Sequence, residues 1–138
     1  MPWPATRIRW PPTRRGSDRC VTASTMSEAR RGDLWLLDFG DPVGREQGWT
    51  RPALVVSSDN WNRHAQMLMV LPLTRTTHDL PTRVEIEPDR RNGLDEASYA
   101  RCEDMRSVSE RRLVRRLGTA DAVVMASVGH VVRIFLEL

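Results

Sequence analysis

Arg45, Glu46, Gln47 and Arg51 fall within one short stretch, Gly44–Pro52 (GREQGWTRP), between two apolar runs. A turn joining two strands needs glycine or asparagine. It does not need two guanidiniums, a carboxylate and an amide. Thr74 and Arg75 stand at the end of a later apolar run, MLMVLPLT. Arg101 and Glu103 are two apart, so on a strand they share a face. These residue types together suit a phosphate. Arginine forks grip phosphate oxygens in pairs. A hydroxyl and an amide add hydrogen bonds, and a carboxylate takes a proton from a ribose 2′-hydroxyl. RNA is cut in this way without a metal: the 2′-oxygen attacks the adjacent phosphorus, a cation steadies the added charge, and the 5′-oxygen leaves protonated. Such a site requires a base, a charge clamp and a donor. The competing reading is a set of surface ion pairs worth less than about 1 kcal/mol each. Spacing alone favours that plainer reading.

His64, His78 and His130 lack metal-ligand spacing, and no glycine-rich loop leads into a helix. Neither a metal nor another cofactor is therefore expected. His78, in the polar loop after Thr74, is a minor candidate for substrate contact.

The chain has 138 residues, which suits one domain with one modest core. Its net charge of +3 is unevenly spread. Residues 1–25 hold Arg7, Arg9, Arg14, Arg15 and Arg19 against Asp18 alone. Residues 26–138 hold sixteen arginines against seventeen acids, so the body is not basic overall and a polyanion site in it must be local. No apolar run approaches a membrane span. Cys20 and Cys102 make neither a disulfide framework nor a zinc site, which fits a reducing, cytoplasmic setting.

Elements must now position these groups. Residues 1–25 carry four prolines and no helix or strand period, so they read as a disordered tail or as sequence upstream of a start at Met26. A basic arm in which Trp3 and Trp10 stack on RNA bases is the rival reading. From Arg31 the pattern is orderly. Gly32–Phe39 and Pro52–Ser58 read as strands, Asp59–Arg63 as a turn or short helical turn, and Met67–Thr74 as a strand apolar on both faces. Pro72 demands a bulge or an edge there. Thr82–Glu87 alternates, with Val84 and Ile86 inward and Arg83, Glu85 and Glu87 outward. Asn92-Gly93 marks a turn. SYARC and MRSVS flank Glu103-Asp104 as one interrupted strand, SERRL reads as a helical turn and VRRLG as a short strand. The C-terminal stretch is helical, with Thr119 expected as its cap and Asp121 in its first turn. Val124, Val128, Val131, Phe135 and Leu138 form an apolar stripe that closes the core or serves a partner surface. Gly129 costs about 1 kcal/mol in a helix interior, which a close packing contact would justify. The expected fold is α+β but mainly β, a small twisted antiparallel barrel over 26–138 with a C-terminal helix.

RRGDLWLLDF, VGREQGWTRPALVVSSD, LPLT, LPTRVEI and RCEDMRSV follow one another in an order that resembles the MazF/PemK family of toxin endoribonucleases. The resemblance covers about residues 30–138. It implies an SH3-like barrel, a homodimer, metal-independent and sequence-specific cleavage of single-stranded RNA, and inhibition by a small MazE-like antitoxin. Carried over by position, Arg51 matches the arginine that acts at the scissile phosphate, Thr74 the threonine that supports it, and Glu46 and Gln47 the pair beside them. Arg101-Cys102-Glu103 resembles the R-C-D stretch of the PemK branch, with Glu103 in place of Asp. Asp104 stands where Gln is common, an anion in place of an amide that reads a base edge. Arg51 is a poor base, because a guanidinium stays protonated at neutral pH. Glu46 and Glu103 both remain candidates for the base. Arg45, Arg75 and Arg101, with Gln47 and Asp104, are the expected substrate contacts. An acidic antitoxin segment would compete for the same arginines, with Trp49 and Trp61 as anchors or else ordinary core. A different class of function stays open, a non-catalytic poison of a partner enzyme such as DNA gyrase, as in CcdB, which resembles this fold. An inactive dimer kept for its antitoxin contacts is the third and weakest reading.

Overall fold

The computed structural model describes residues 29–46 and 48–138. The tail reading, with Trp3, Trp10 and the start at Met26, and the role of Gln47 lie outside those residues. In chain order the elements are β1 (Asp33–Asp38), β2 (Thr50–Val55), α1 (Asp59–Ala65), β3 (Met67–Thr74), β4 (Arg83–Ile86), β5 (Ser98–Arg101), β6 (Arg106–Ser109), β7 (Leu113–Thr119) and α2 (Ala122–Phe135). Single turns of 3-10 helix at Cys102–Asp104 and Glu110–Arg112 separate β5, β6 and β7.

All strand pairings are antiparallel, in the order β4-β5-β3-β2-β1-β7, with β6 also on β3. β3 is the centre of the molecule because both its faces are apolar. Leu68 and Val70 face one buried cluster, with Ala53, Val55 and Leu37. Leu71 and Leu73 face the other, with Leu34, Leu54 and Ile86. On one side β3 pairs first with β6, up to Val70, and then with β5, from Leu73. Pro72, which has no N–H to give, lies in that gap. Opposite the gap the partner strand spends Arg101 to Met105 on its 3-10 turn, so Glu103 and Asp104 are lifted out of the ladder.

The pairing path does not close on itself, since β4 and β7 are its two edges. A loop spans between them. After β4 the chain turns through Asn92-Gly93, and the Thr119 N–H donates to the Arg91 carbonyl at 2.8 Å. The barrel is closed by this loop, with no strand pairing at the seam among the described residues.

α2 lays Val124, Met125, Val128, Val131 and Val132 on the second cluster. The stripe stops there: Phe135 and Leu138 are exposed. Three local expectations change. Asp121, not Thr119, caps α2 and accepts from the Val124 N–H at 2.8 Å. Thr119 is occupied as the last residue of β7, where its hydroxyl accepts from Arg116. No close contact accounts for Gly129, because a Cβ there would meet nothing within 4 Å. β2 begins at Thr50, so Arg51 belongs to a strand and not to the loop. The β1 ladder carries it, with Asp38 opposite Thr50 and Leu37 opposite Arg51. Among the described residues no helix is long and apolar enough to cross a membrane.

Candidate active site

Between β1 and β2 the chain is pinched by two backbone bonds, Phe39 N–H to Trp49 O at 2.9 Å and Trp49 N–H to Gly40 O at 2.7 Å. Trp49 sits at φ 64°, a left-handed conformation that a bulky residue adopts only when its surroundings impose it. The pinch throws Arg45 and Glu46 to one side of the loop and delivers Arg51 to the other. The β2–β3 register ends with Ala53 opposite Pro72; continued two residues it would set Arg51 level with Thr74, and residues two apart on a strand share a face.

Two clefts result. One, of about 620 Å³, is lined by Arg51 and Thr74 with Trp49, Arg75, Thr76 and Arg115. The other, of about 630 Å³, is lined by Arg45, Glu46, Arg101, Glu103 and Asp104, with His78 and Arg83. The sequence candidates are therefore divided between neighbouring clefts. Trp61, on α1, lines neither of these two, whereas Trp49 is 58% exposed at the mouth of the first.

In the first cleft the Arg51 Nε donates to the Gly48 carbonyl at 3.1 Å, and Arg51 forms no ion pair among the described residues. Among the described residues its two terminal nitrogens have no hydrogen-bond partner. Thr74 is buried as a residue, and its hydroxyl lies 3.2 Å from the Thr76 hydroxyl while it accepts the Thr76 N–H at 3.3 Å. Arg75 pairs with Glu96 across the mouth at 3.5 Å, an exposed contact of small energetic weight.

The second cleft is built around Glu103. Its Oε1 accepts from Arg83 Nε at 2.7 Å and from Arg101 Nε at 3.4 Å, and its Oε2 accepts the Thr82 hydroxyl at 2.9 Å. Arg83 and Arg101 face each other across β4 and β5, and the carboxylate between them relieves a repulsive pair. Arg101 also meets Asp104 at 3.6 Å and the Arg45 carbonyl at 3.4 Å. Partial burial pushes the Glu103 carboxyl up. The hydrogen bond from Arg83, its own backbone N–H, the Thr82 hydroxyl and the Arg83 charge outweigh this and hold it below the usual carboxylate range. A carboxylate so placed is a weak base. Beneath it the Cys102 thiol is fully buried and is pushed up to about 11 by burial and by the Glu103 charge, so it stays protonated and unreactive.

A lowered folded-state pKa adds stability above the unfolded value, and that stability is lost as pH falls through the folded one. Glu103→Gln should therefore melt below the wild type at neutral pH. The difference should shrink between about pH 5 and the acid side of the ordinary carboxylate value of ~4.3. Melting curves at stepped pH check this; a constant difference would contradict it.

Arg83 is the residue that pattern reading missed. Alternation assigns it outward, yet its side chain is only 6% exposed. Its position opposite Arg101 in the β4–β5 pairing is the signal that finds it. Arg115, brought to the first cleft by β7, carried no signal in the sequence. Among the described residues no group of three or more metal-ligating side chains comes together.

Residues 30–136 match a family described as PemK-like, MazF-like toxin of type II toxin-antitoxin system. The chain is 33% identical over 111 residues to endoribonuclease EndoA of Bacillus subtilis (strain 168), over 79% of this chain and 95% of that one. The crystal structure of MazF (Form-I) from Deinococcus radiodurans superposes with a TM-score of 0.70 at 29% identity, over 80% of this chain and 97% of that one. The MazE–MazF structure (Form-II) from the same organism gives 0.65 at 28% identity, over 80% and 96%.

Proposed function

The chain belongs to the PemK-like, MazF-like family of type II toxins and is an endoribonuclease, and from that premise we propose how its clefts cut single-stranded RNA. The scissile phosphate lies in the first cleft between Arg51 and Thr74. The observation that carries this is that Arg51 and Thr74 line one cleft, with Arg51 in no ion pair among the described residues. Arg51 clamps the charge that grows on the phosphate, and the Thr74 hydroxyl adds a hydrogen bond. Glu46 is the base. It is exposed and forms no ion pair among the described residues, whereas Glu103 is committed to two arginines and a hydroxyl. Glu46 and Arg51 line different clefts, so this step requires the Glu46 loop to close on the bound strand until its carboxylate reaches the 2′-hydroxyl beside the phosphate. Glu46 takes the 2′-proton, the 2′-oxygen bonds to phosphorus, and the bond from phosphorus to the 5′-oxygen breaks. The 5′-oxygen leaves as a hydroxyl, with Arg51 as its candidate proton donor. Arg45, Arg75 and Arg101 steer the strand, and Asp104 faces a base.

The protein acts as a homodimer in the cytoplasm, under a MazE-like antitoxin whose acidic segment competes with RNA for the same arginines and anchors on Trp49. The poison reading needs neither Arg51 nor Thr74 in one cleft, and no feature of the site favours it.

Purified protein in EDTA should cut single-stranded RNA and leave a 2′,3′-cyclic phosphate and a 5′-hydroxyl. Glu46→Gln should slow this about a hundredfold, far more than Glu103→Gln does. A requirement for magnesium, or a 5′-phosphate product, would overturn the mechanism.

A further inference from the structure

The Glu103 cluster reaches beyond its own cleft. Arg83, held by Glu103 through Nε at 2.7 Å, donates from its terminal nitrogen to the Thr76 carbonyl at 2.6 Å. Thr76 in turn contacts the Thr74 hydroxyl through both its own hydroxyl and its N–H, at 3.2 and 3.3 Å. A continuous line of hydrogen bonds thus runs from the carboxylate of one cleft to the hydroxyl of the other. We propose that Arg83 is a positioning residue for RNA cleavage, one that touches no substrate and holds the turn after β3 so that the Thr74 hydroxyl points at the phosphate.

Three features support this. The guanidinium is planar and its Nε and terminal nitrogen point in fixed directions, so both contacts are made at once with little entropy left to lose. The side chain is shielded, which makes its contact with Glu103 worth more than at the surface. The turn it holds lacks other restraint from a strand, because β3 ends at Thr74 and β4 begins at Arg83 itself. Without Arg83 the Thr76 carbonyl has no tether, and the Thr74 hydroxyl is free to rotate toward its neighbours. A misplacement of that size is enough to cost a large factor in rate.

The inference rests on the proposed role of Thr74, and a double-mutant cycle separates the two. Arg83→Met, Thr74→Ala and the double variant are compared by single-turnover cleavage of a short RNA, with melting curves for each. Thr74→Ala and Arg83→Met should each lower kcat about tenfold to a hundredfold with KM nearly unchanged, and the double variant should be no slower than the slower single one. Additive losses, or an Arg83→Met rate like the wild type, would overturn the positioning role. A Thr74→Ala rate like the wild type would instead overturn the reading of Thr74. If Arg83→Met does not fold, Arg83→Gln keeps one donor to Glu103 and drops the bond to Thr76, and the same coupling must then appear with it.

Discussion

Replacing Arg51 with alanine is expected to slow RNA cleavage about a thousandfold while the fold stays intact. The magnitude follows from what the guanidinium meets. In the resting protein only its Nε is engaged, by the Gly48 carbonyl, so the fork carries little structural burden. When the 2′-oxygen attacks, the phosphate gains charge, and a planar donor pair fixed beside it stabilises that state more than the ground state. kcat should therefore fall far more than RNA affinity. Stability should fall by no more than about 1 kcal/mol, the net worth of one hydrogen bond to the loop. Arg51→Lys should recover part of the loss only, since an ammonium meets one oxygen where the fork meets two. Single-turnover rates beside melting curves read both effects. A rate within threefold of wild type for Arg51→Ala would remove Arg51 from the reaction.

Much of this arrangement was legible before any coordinates, and particular residues show why. β3 was readable because its apolar residues run on both faces, which only a doubly covered strand tolerates. The break at Glu103-Asp104 was readable because two acids interrupt an apolar alternation. Arg83 was misread for a reason built into curled sheets. Alternation separates the two faces of a strand, but it does not say that the outer face meets water. Here that face is roofed by the turn after β3 and by the 3-10 turn at Glu103. The division of Glu46 from Arg51 was equally hidden. It depends on the left-handed Trp49 and on the two bonds that pinch the loop, which no residue type announces. The proposed preference for Glu46 over Glu103 rests on the hydrogen-bond partners of Glu103, and those come from two separate segments.

The seam of the barrel carries the largest expected effect on stability. Gly118 in β7 packs against the loop that follows β4, and a Cβ there would fall inside the Arg91 carbonyl oxygen and 2.7 Å from the Asn92 carbonyl carbon. Those are backbone atoms, so no side chain can swing aside. The loop is itself locked. The Asn92 amide donates to the Glu87 carbonyl at 2.7 Å, and its oxygen accepts the Asp89 and Leu94 N–H groups at 3.1 and 3.0 Å. Gly118→Ala must therefore part the loop from β7, break the bond from Thr119 to Arg91 and open the closure that this loop makes between the sheet's two edges. A loss of at least about 3 kcal/mol is expected, or a melting point lower by more than about 10 °C. Because Gly93, Leu94 and Leu117 also line the Arg51 cleft, whatever remains folded should cut RNA poorly. Gly129→Ala provides the opposite sign in the same protein. Its site is open and helical, so the change should raise stability by up to about 1 kcal/mol and leave cleavage unaltered. Urea unfolding of both variants decides the matter: a Gly118→Ala variant as stable as wild type would mean that the loop does not seal the barrel.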